Sequence, residues 1–481
     1  MGGGGIMNKS GVAPRSAQPG PRIPVLERLG PADLMMLWPD DLGWPEVIGA
    51  LAILDGTGLF DPDGRFRIGA VREVIGSRLP QVPRFRQLLH TPRRGLGRPL
   101  WVDTRFFDLT EHVRVLPFAA PPDETGLLRA AEHVRALPLS RSRPLWEMWF
   151  LPGLASDAVA MFIKVHHTIA DGPAGVALLG TFLDPSADAP TTPALPWTPA
   201  PMPSGRDLFE DNLRRRVQAA EGTLSKLRRP ATTLHQAREK WPAVRENYLK
   251  ERAPRTSFNI PIGRHRRLTV IRSSLDAAKQ IAHSHGVKLN DVLMSATAGG
   301  LRELLRSRGE HVEDLVLRAF VPVSLHQEEP GRARGNQDGM MFVPLPVGEP
   351  YPIRRLRLIA EASVRRKKHV IGAPEGIVGG NRVLQRAMTR GLARQRWANV
   401  YIANIFGPPM PLYLAGARIT EIFPVVPLIG NFTLAVAALS YAEQLNITVV
   451  ADANACPDVE ILAQGMRDSL QALSPFKPVL T

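Results

Sequence analysis

The run Ala158-Val159-Ala160-Met161-Phe162-Ile163-Lys164-Val165-His166-His167 constrains this chain more than any other stretch. Its apolar, bulky residues read as a buried strand. Thr168-Ile169-Ala170-Asp171-Gly172-Pro173 follow, and then the apolar run 174–179, which is the pattern of a capped helix start. Two adjacent histidines therefore stand where a strand passes through a loop into a helix. Side chains on a strand alternate between its faces. His166 then shares a face with Phe162 and Lys164, and His167 shares one with Met161, Ile163 and Val165. The imidazoles point to opposite sides, and at most one faces a given cavity.

An imidazole takes a proton near neutral pH, so the pair suits base chemistry. The histidine turned away is left to serve as a structural hydrogen-bonder. Asp171 has two readings. It caps the following helix, or its carboxylate pairs with a cation and holds the turn. Gly172 either relieves a tight turn or leaves space for substrate to reach the imidazole.

At 481 residues the chain is long for one core, and two domains are expected. The single cysteine, Cys456, excludes an internal disulfide and a Cys-rich zinc site. Lys and Arg outnumber Asp and Glu by 60 to 45, a net charge of +15. Such a chain is attracted to polyanions: nucleic acid, anionic lipid headgroups or a phosphorylated co-substrate. It carries no zinc-finger spacing and no RNP-like run, so nucleic acid is not an expected partner. His283 and His285 lack further ligands nearby, and no metal site is expected.

Residues 1–24 are rich in Gly, Pro and Ser and lack an apolar core segment, so they read as a flexible tail and not a signal peptide. The longest uncharged run, 424–442, contains Pro424, Pro427, Gly430 and Asn431. It reads as two strands joined by a Gly-Asn turn, not as a spanning helix. A cytoplasmic protein is expected, peripheral on the inner membrane face or on lipid droplets.

Helical and strand patterns mix in both halves, the signature of α/β layering. In the first half, strands are expected at 47–54 and from Trp146 towards 150, and helices at 68–79 and 124–136. A Pro/Ala/Thr-rich linker precedes a basic helical stretch with Leu213, Val217, Ala220, Leu224 and Leu227 on one face. That helix reads as a crossover element packed on the body with a solvated basic side, or as a contact with an anionic membrane. The packed helix is the expected arrangement. In the second half, helices are expected at 274–285, 292–306, 353–368 and 459–473, with Asn290 or Asp291 capping the second. The domains are then a tail 1–24, a first domain 25–185, a linker with crossover helix 186–257, and a second domain 258–481.

The arrangement His-His-x-x-x-Asp-Gly at a strand end resembles the motif of the CoA-dependent acyltransferase superfamily. From about Gly30 to about Leu473, the chain resembles its bacterial wax ester synthase/diacylglycerol acyltransferase family. The residues that carry this begin with Pro31-Ala32-Asp33, Val82-Pro83-Arg84-Phe85-Arg86, Pro144-Leu145-Trp146 and Asn290-Asp291-Val292. Gly335-Asn336, Asn404-Ile405-Phe406-Gly407-Pro408, Gly416-Ala417-Arg418, Ser440-Tyr441 and Pro457-Asp458 complete the ordered set. Two positions depart from it: Ser140, where an acidic residue is usual, and Ala442-Glu443-Gln444, where a glycine is common.

The resemblance implies two chloramphenicol acetyltransferase-like domains, each a mixed β-sheet flanked by helices, with a substrate channel between them. It implies transfer of a long acyl group from acyl-CoA, a co-substrate and not a bound cofactor, to the hydroxyl of diacylglycerol or a long-chain alcohol. It nominates His167 as general base, His166 as a structural or orienting residue, Asp171 as structural and Gly172 as channel access. It also nominates Asn290, Asp291, Pro144, Leu145 and Trp146 as substrate-binding; on their own terms Asn290-Asp291 read at least as a helix cap, and Pro144-Leu145-Trp146 as core packing at the start of a hairpin. A thioester is an activated donor, so one base that takes the hydroxyl proton suffices. The oxyanion needs a donor, either a backbone N–H or the Asn290 amide. Cys456 is far from the motif in sequence, and direct transfer without an acyl-enzyme is expected. Two alternatives are a condensation-type enzyme with a carrier-bound donor and a non-catalytic lipid-binding homologue. The first is disfavoured by the absence of carrier or adenylation segments, the second by the intact His167 and Asp171.

Overall fold

The computed structural model describes residues 26–170, 172–190, 197–228, 251–324, 338–367, 370–372 and 382–474, with residues 235, 238, 241, 242, 245 and 246. Two mixed sheets dominate it. The first has six strands in the order Tyr413–Leu414, Ala417–Val425, Val47–Leu54, Val159–His166, Trp146–Pro152 and Val113–Val115. The second has seven, in the order Ile371–Gly372, Asp338–Pro346, Val316–Ser324, Val400–Phe406, Leu434–Tyr441, Gln444–Asp452 and Arg266–Ser274. Val400–Phe406 runs parallel to both of its neighbours, and most other pairs are antiparallel.

The first sheet places the histidines. Strand Val159–His166 lies between Val47–Leu54 and Trp146–Pro152, both antiparallel to it. All eight of its residues are buried, as a central strand covered on both faces requires. Its alternation separates two cores. Met161, Ile163 and Val165 join the core of the first half, with Val71, Ile75 and Phe182. Ala160 and Phe162 face a core shared with the second sheet, with Val270, Ala435 and Val450. Lys164 belongs to this second face. It donates to the carbonyls of Val134 and Leu137 at 3.1 and 2.8 Å and pairs with Glu147 at 3.0 Å, which ties helix Glu124–Ala136 to the sheet.

Three arrangements differ from the sequence expectations. The uncharged run 424–442 is not a hairpin. Strand Ala417–Val425 pairs with Val47–Leu54 in the first sheet, whereas Leu434–Tyr441 sits in the second. A segment of the second half thus completes the sheet that carries the histidines. Helix Leu289–Ser307 starts earlier than expected, with Lys288 at the N-cap. Asp291 lies in its first turn and accepts from the Lys288 N–H at 3.0 Å.

The third difference is the basic helix Gly205–Arg228, which is not a packed crossover element along its length. Its first turns are anchored: Leu208 is buried, Asp211 pairs with Arg28 at 2.5 Å and Asn212 donates to Gly95 O at 2.7 Å. Beyond them Leu213, Val217 and Leu224 are each about half exposed, at 51%, 49% and 49%. The Leu227 side chain lies outside the described residues.

Helix Leu289–Ser307 packs on Val459–Leu473 through glycines. A Cβ on Gly300 would stand 2.4 Å from the Leu462 carbonyl oxygen. Gly300→Ala is expected to destabilise the protein by about 1–3 kcal/mol, because backbone cannot yield as a side chain does. That exceeds the roughly 1 kcal/mol alanine contributes by helix propensity. Urea unfolding measures it, and an unchanged midpoint would show that the helices shift apart freely.

At the turn between Leu434–Tyr441 and Gln444–Asp452, Ala442 and Glu443 both take positive φ, 43° and 69°. This is the conformation a two-residue hairpin turn demands and glycine accepts most readily. The departure from the family pattern at these residues therefore falls on a left-handed turn.

Candidate active site

The ladder between Val47–Leu54 and Val159–His166 pairs Val47 with His166. One further bond extends it, from the His167 N–H to Glu46 O at 2.7 Å. The sheet geometry therefore persists through the histidine pair, and the two rings project to opposite faces.

His166 is almost completely buried, and both of its ring nitrogens are engaged. The Thr168 N–H donates to Nδ1 at 3.1 Å, and Thr168 Oγ1 lies 2.8 Å from the same atom. Nδ1 is thus the acceptor, and Nε2–H is left to donate to Asp40 Oδ2 at 3.0 Å. Asp40 also accepts from the Glu46 N–H at 3.1 Å and from Arg141 at 3.1 Å. Burial pushes its carboxyl up, but the hydrogen bonds from His166 and the Glu46 N–H, with the Arg141 charge, hold it below the ordinary carboxylate range.

His167 is only half-buried and lies on the wall of a cavity of about 1050 Å³. That is at the upper end of ligand-pocket sizes, roughly 300–1,000 Å³. Both sheets bound it: Ala50, Ile163 and Val165 from the first, Phe320, Phe342 and Tyr401 from the second. The lining is predominantly apolar, with a few polar groups on it. Asn290, in the first turn of helix Leu289–Ser307, has a buried Oδ1 without a hydrogen-bond partner among the described residues. Asn404, on strand Val400–Phe406, has the same. Buried amide oxygens are normally paired, and these two face the same cavity. Lys288 and Lys367 also line the cavity.

Glu46 lines the cavity as well, and its side chain is 4% exposed. It stands directly across the ladder from His167. Burial, with a smaller contribution from the Asp40 charge, pushes its carboxyl up to about 8.

The other sequence-nominated residues fall as follows. Asp171 lies outside the described residues, and Gly172 opens helix Gly172–Gly180, whose Val176 and Leu179 line the cavity. Asp291 does not line the cavity; its carboxylate is spent on the helix cap. Pro144, Leu145 and Trp146 do not line it either, in keeping with the core-packing reading. Trp146 is fully buried, stacked on Phe85 and His112 with centroids 4.4 and 4.6 Å away, and its Nε1–H donates to Phe85 O. A satisfied indole in the core has nothing left to offer a substrate. Leu145 packs with Leu29, Leu37 and Trp38.

Sequence reasoning did not single out Asp40 and Glu46. Asp40 is 126 positions from His166, and no local pattern connects them. Asn404 stood in a motif without a role.

The cavity thus brings together an imidazole, two amides and a mostly apolar wall drawn from both sheets. Residues 29–293 match the model of the wax ester synthase/diacylglycerol acyltransferase catalytic domain, and residues 334–474 match that of the C-terminal domain of the same proteins. A Mycobacterium tuberculosis H37Rv protein, provisionally named a diacylglycerol O-acyltransferase, is 30% identical over 93% of this chain and 90% of its own length. Another protein of that strain with the same provisional activity is 29% identical over 89% of this chain and 90% of its own. The solved wax ester synthase/diacylglycerol acyltransferase of Marinobacter aquaeolei VT8 superposes with a TM-score of 0.63 at 23% identity, covering 93% of this chain and 98% of that one. The starter condensation domain of rhizomide synthetase, in complex with C8-CoA and Leu-SNAC, superposes with a TM-score of 0.58 at 16% identity over 93% of each chain. The chain belongs to the wax ester synthase/diacylglycerol acyltransferase family. It is an acyltransferase with the two-domain chloramphenicol acetyltransferase-like fold.

Proposed function

We propose that this acyltransferase moves a long acyl chain from acyl-CoA to the hydroxyl of diacylglycerol, and also to long-chain alcohols, with His167 as general base. The observation that carries this is the placement of His167 on the wall of the large apolar cavity, with His166 turned away. Such a cavity accepts an acyl chain and a second apolar substrate together, which removes much of the entropic barrier to their reaction. His167 takes the hydroxyl proton as the oxygen attacks the thioester carbonyl. The Asn290 amide, or a backbone N–H, stabilises the oxyanion. The C–S bond then breaks, and the proton leaves with the CoA sulfur.

Transfer is direct. Cys456, the only cysteine of the chain, is buried among apolar residues of the second half, such as Leu304 and Leu462, and burial pushes its thiol up to about 11. A thiol held neutral in a core is a poor nucleophile. The decisive experiment incubates purified protein with labelled palmitoyl-CoA and either diacylglycerol or hexadecanol. Triacylglycerol and wax ester are the expected products. Label that stays in palmitoyl-CoA with both acceptors, from folded protein, would sink the reading.

The exposed apolar stripe Leu213, Val217 and Leu224, with Arg214 and Arg216 beside it, supports peripheral attachment to an anionic lipid surface. Among the described residues no helix is long and apolar enough to cross a membrane. Binding to anionic vesicles is expected to weaken as salt rises past about 0.1 M, where charges are screened within about 10 Å. Vesicle flotation checks this. Equal binding to neutral and anionic vesicles at all salt concentrations would contradict it.

A further inference from the structure

Glu46 is the buried group that the reaction above leaves without a task. It continues strand Val47–Leu54 by one residue, and alternation gives it the face of Ile48 and Ala50, both on the cavity wall. The bond from the His167 N–H to Glu46 O makes Glu46 and His167 a directly opposed antiparallel pair. Such pairs share a sheet face with Cβ atoms about 4.5–5.5 Å apart. The Glu46 carboxyl therefore sits next to the base, on the surface that substrates line.

Among the described residues the one charge that acts on its carboxyl is that of Asp40, an acid already committed to His166 and Arg141. His167 flanks it on the next strand, and Lys288 and Lys367 lie on the same cavity. A carboxyl so placed is a neutral acid at neutral pH. It then presents an O–H donor to whatever lies beside His167.

We propose that the Glu46 carboxyl donates a hydrogen bond to the ester carbonyl of a diacylglycerol acceptor, and so favours diacylglycerol over a plain long-chain alcohol. In diacylglycerol an ester carbonyl lies within a few bonds of the free hydroxyl. A fatty alcohol has only methylenes there and leaves the donor unpaired. The inference rests on the acyl-transfer reading above and adds the choice of acceptor to it.

The test is the ratio of kcat/KM for diacylglycerol over hexadecanol, with palmitoyl-CoA as donor and the full chain as enzyme. Glu46→Met keeps the bulk and removes the donor. It lowers the ratio about two- to tenfold, the range of one neutral hydrogen bond. Glu46→Gln keeps an N–H donor and restores the ratio. A pH arm on the unmodified protein does not depend on whether the variants fold. The ratio falls as pH rises through about 8, where Glu46 loses its proton, and stays level in Glu46→Gln. Titration of His167 acts on both acceptors and cancels in the ratio. A ratio unmoved by Glu46→Met and by pH, with both acceptors still acylated, overturns the Glu46 assignment alone. A folded unmodified protein that acylates neither acceptor takes down the acyl-transfer reading and this inference together.

Discussion

Replacing His167 with alanine is expected to lower acyl transfer about a hundred- to ten-thousand-fold, the usual contribution of a general base. The fold should survive, because the imidazole is half-buried at a cavity wall and its backbone bond to Glu46 remains. His166→Ala should behave differently. It removes one of the three donors to the part-buried Asp40 carboxylate, leaving the Glu46 N–H and Arg141, and it removes both contacts to Thr168. Losing a hydrogen bond to a charged group costs about 1.5–3 kcal/mol, so this variant should melt at a lower temperature. Turnover and thermal melting on both proteins separate the two roles. If His167→Ala keeps near-normal turnover while folded His166→Ala loses it, the base has been assigned to the wrong ring.

Asn290→Ala should give the second largest loss. The amide stands in the first turn of helix Leu289–Ser307, on the cavity wall, where its Nδ2–H would be the donor to the oxyanion; its Oδ1 is buried without a partner among the described residues. A group that meets the oxyanion only in the transition state should lower kcat about a hundred- to a thousandfold when removed, with KM little changed. The same change removes an unpaired polar atom, so the melting temperature should hold or rise. A raised KM with unchanged kcat would instead make Asn290 a ground-state binding residue. Asn404 offers the same chemistry from the second sheet, and Asn404→Ala in parallel shows which amide is used.

Local periodicity made much of this protein legible. Strand Val47–Leu54 and helix Glu124–Ala136 stand where their patterns place them, since each buries one stripe or alternating face whatever its partner. The opposed orientation of His166 and His167 follows from the same rule, because a strand has a period of two. What alternation cannot say is which sheet a strand enters. The run 424–442 reads as two strands about one turn, yet strand Ala417–Val425, which ends in it, and Leu434–Tyr441 belong to different sheets. The Gly-Asn pair signalled a turn but not its destination.

Partners far apart in sequence were illegible for the same reason. Nothing in Trp38-Pro39-Asp40 announces the hydrogen bond to His166, and nothing in Pro45-Glu46-Val47 announces a neutral acid in a cavity. At Pro144-Leu145-Trp146 the core-packing reading agrees with the structure, where Leu145 and Trp146 are buried; the substrate role was implied only by the family resemblance. Composition misled on helix Gly205–Arg228, whose apolar stripe looked like a packing face and is exposed. The sequence by itself determined the family, the layered α/β class and the pair of histidines that the strand splits between two faces. Tertiary structure alone decided which of them meets the cavity, what holds the other, and which buried acid stands beside the base. Those depend on contacts between segments more than a hundred residues apart, and only the closed fold brings them within hydrogen-bond reach.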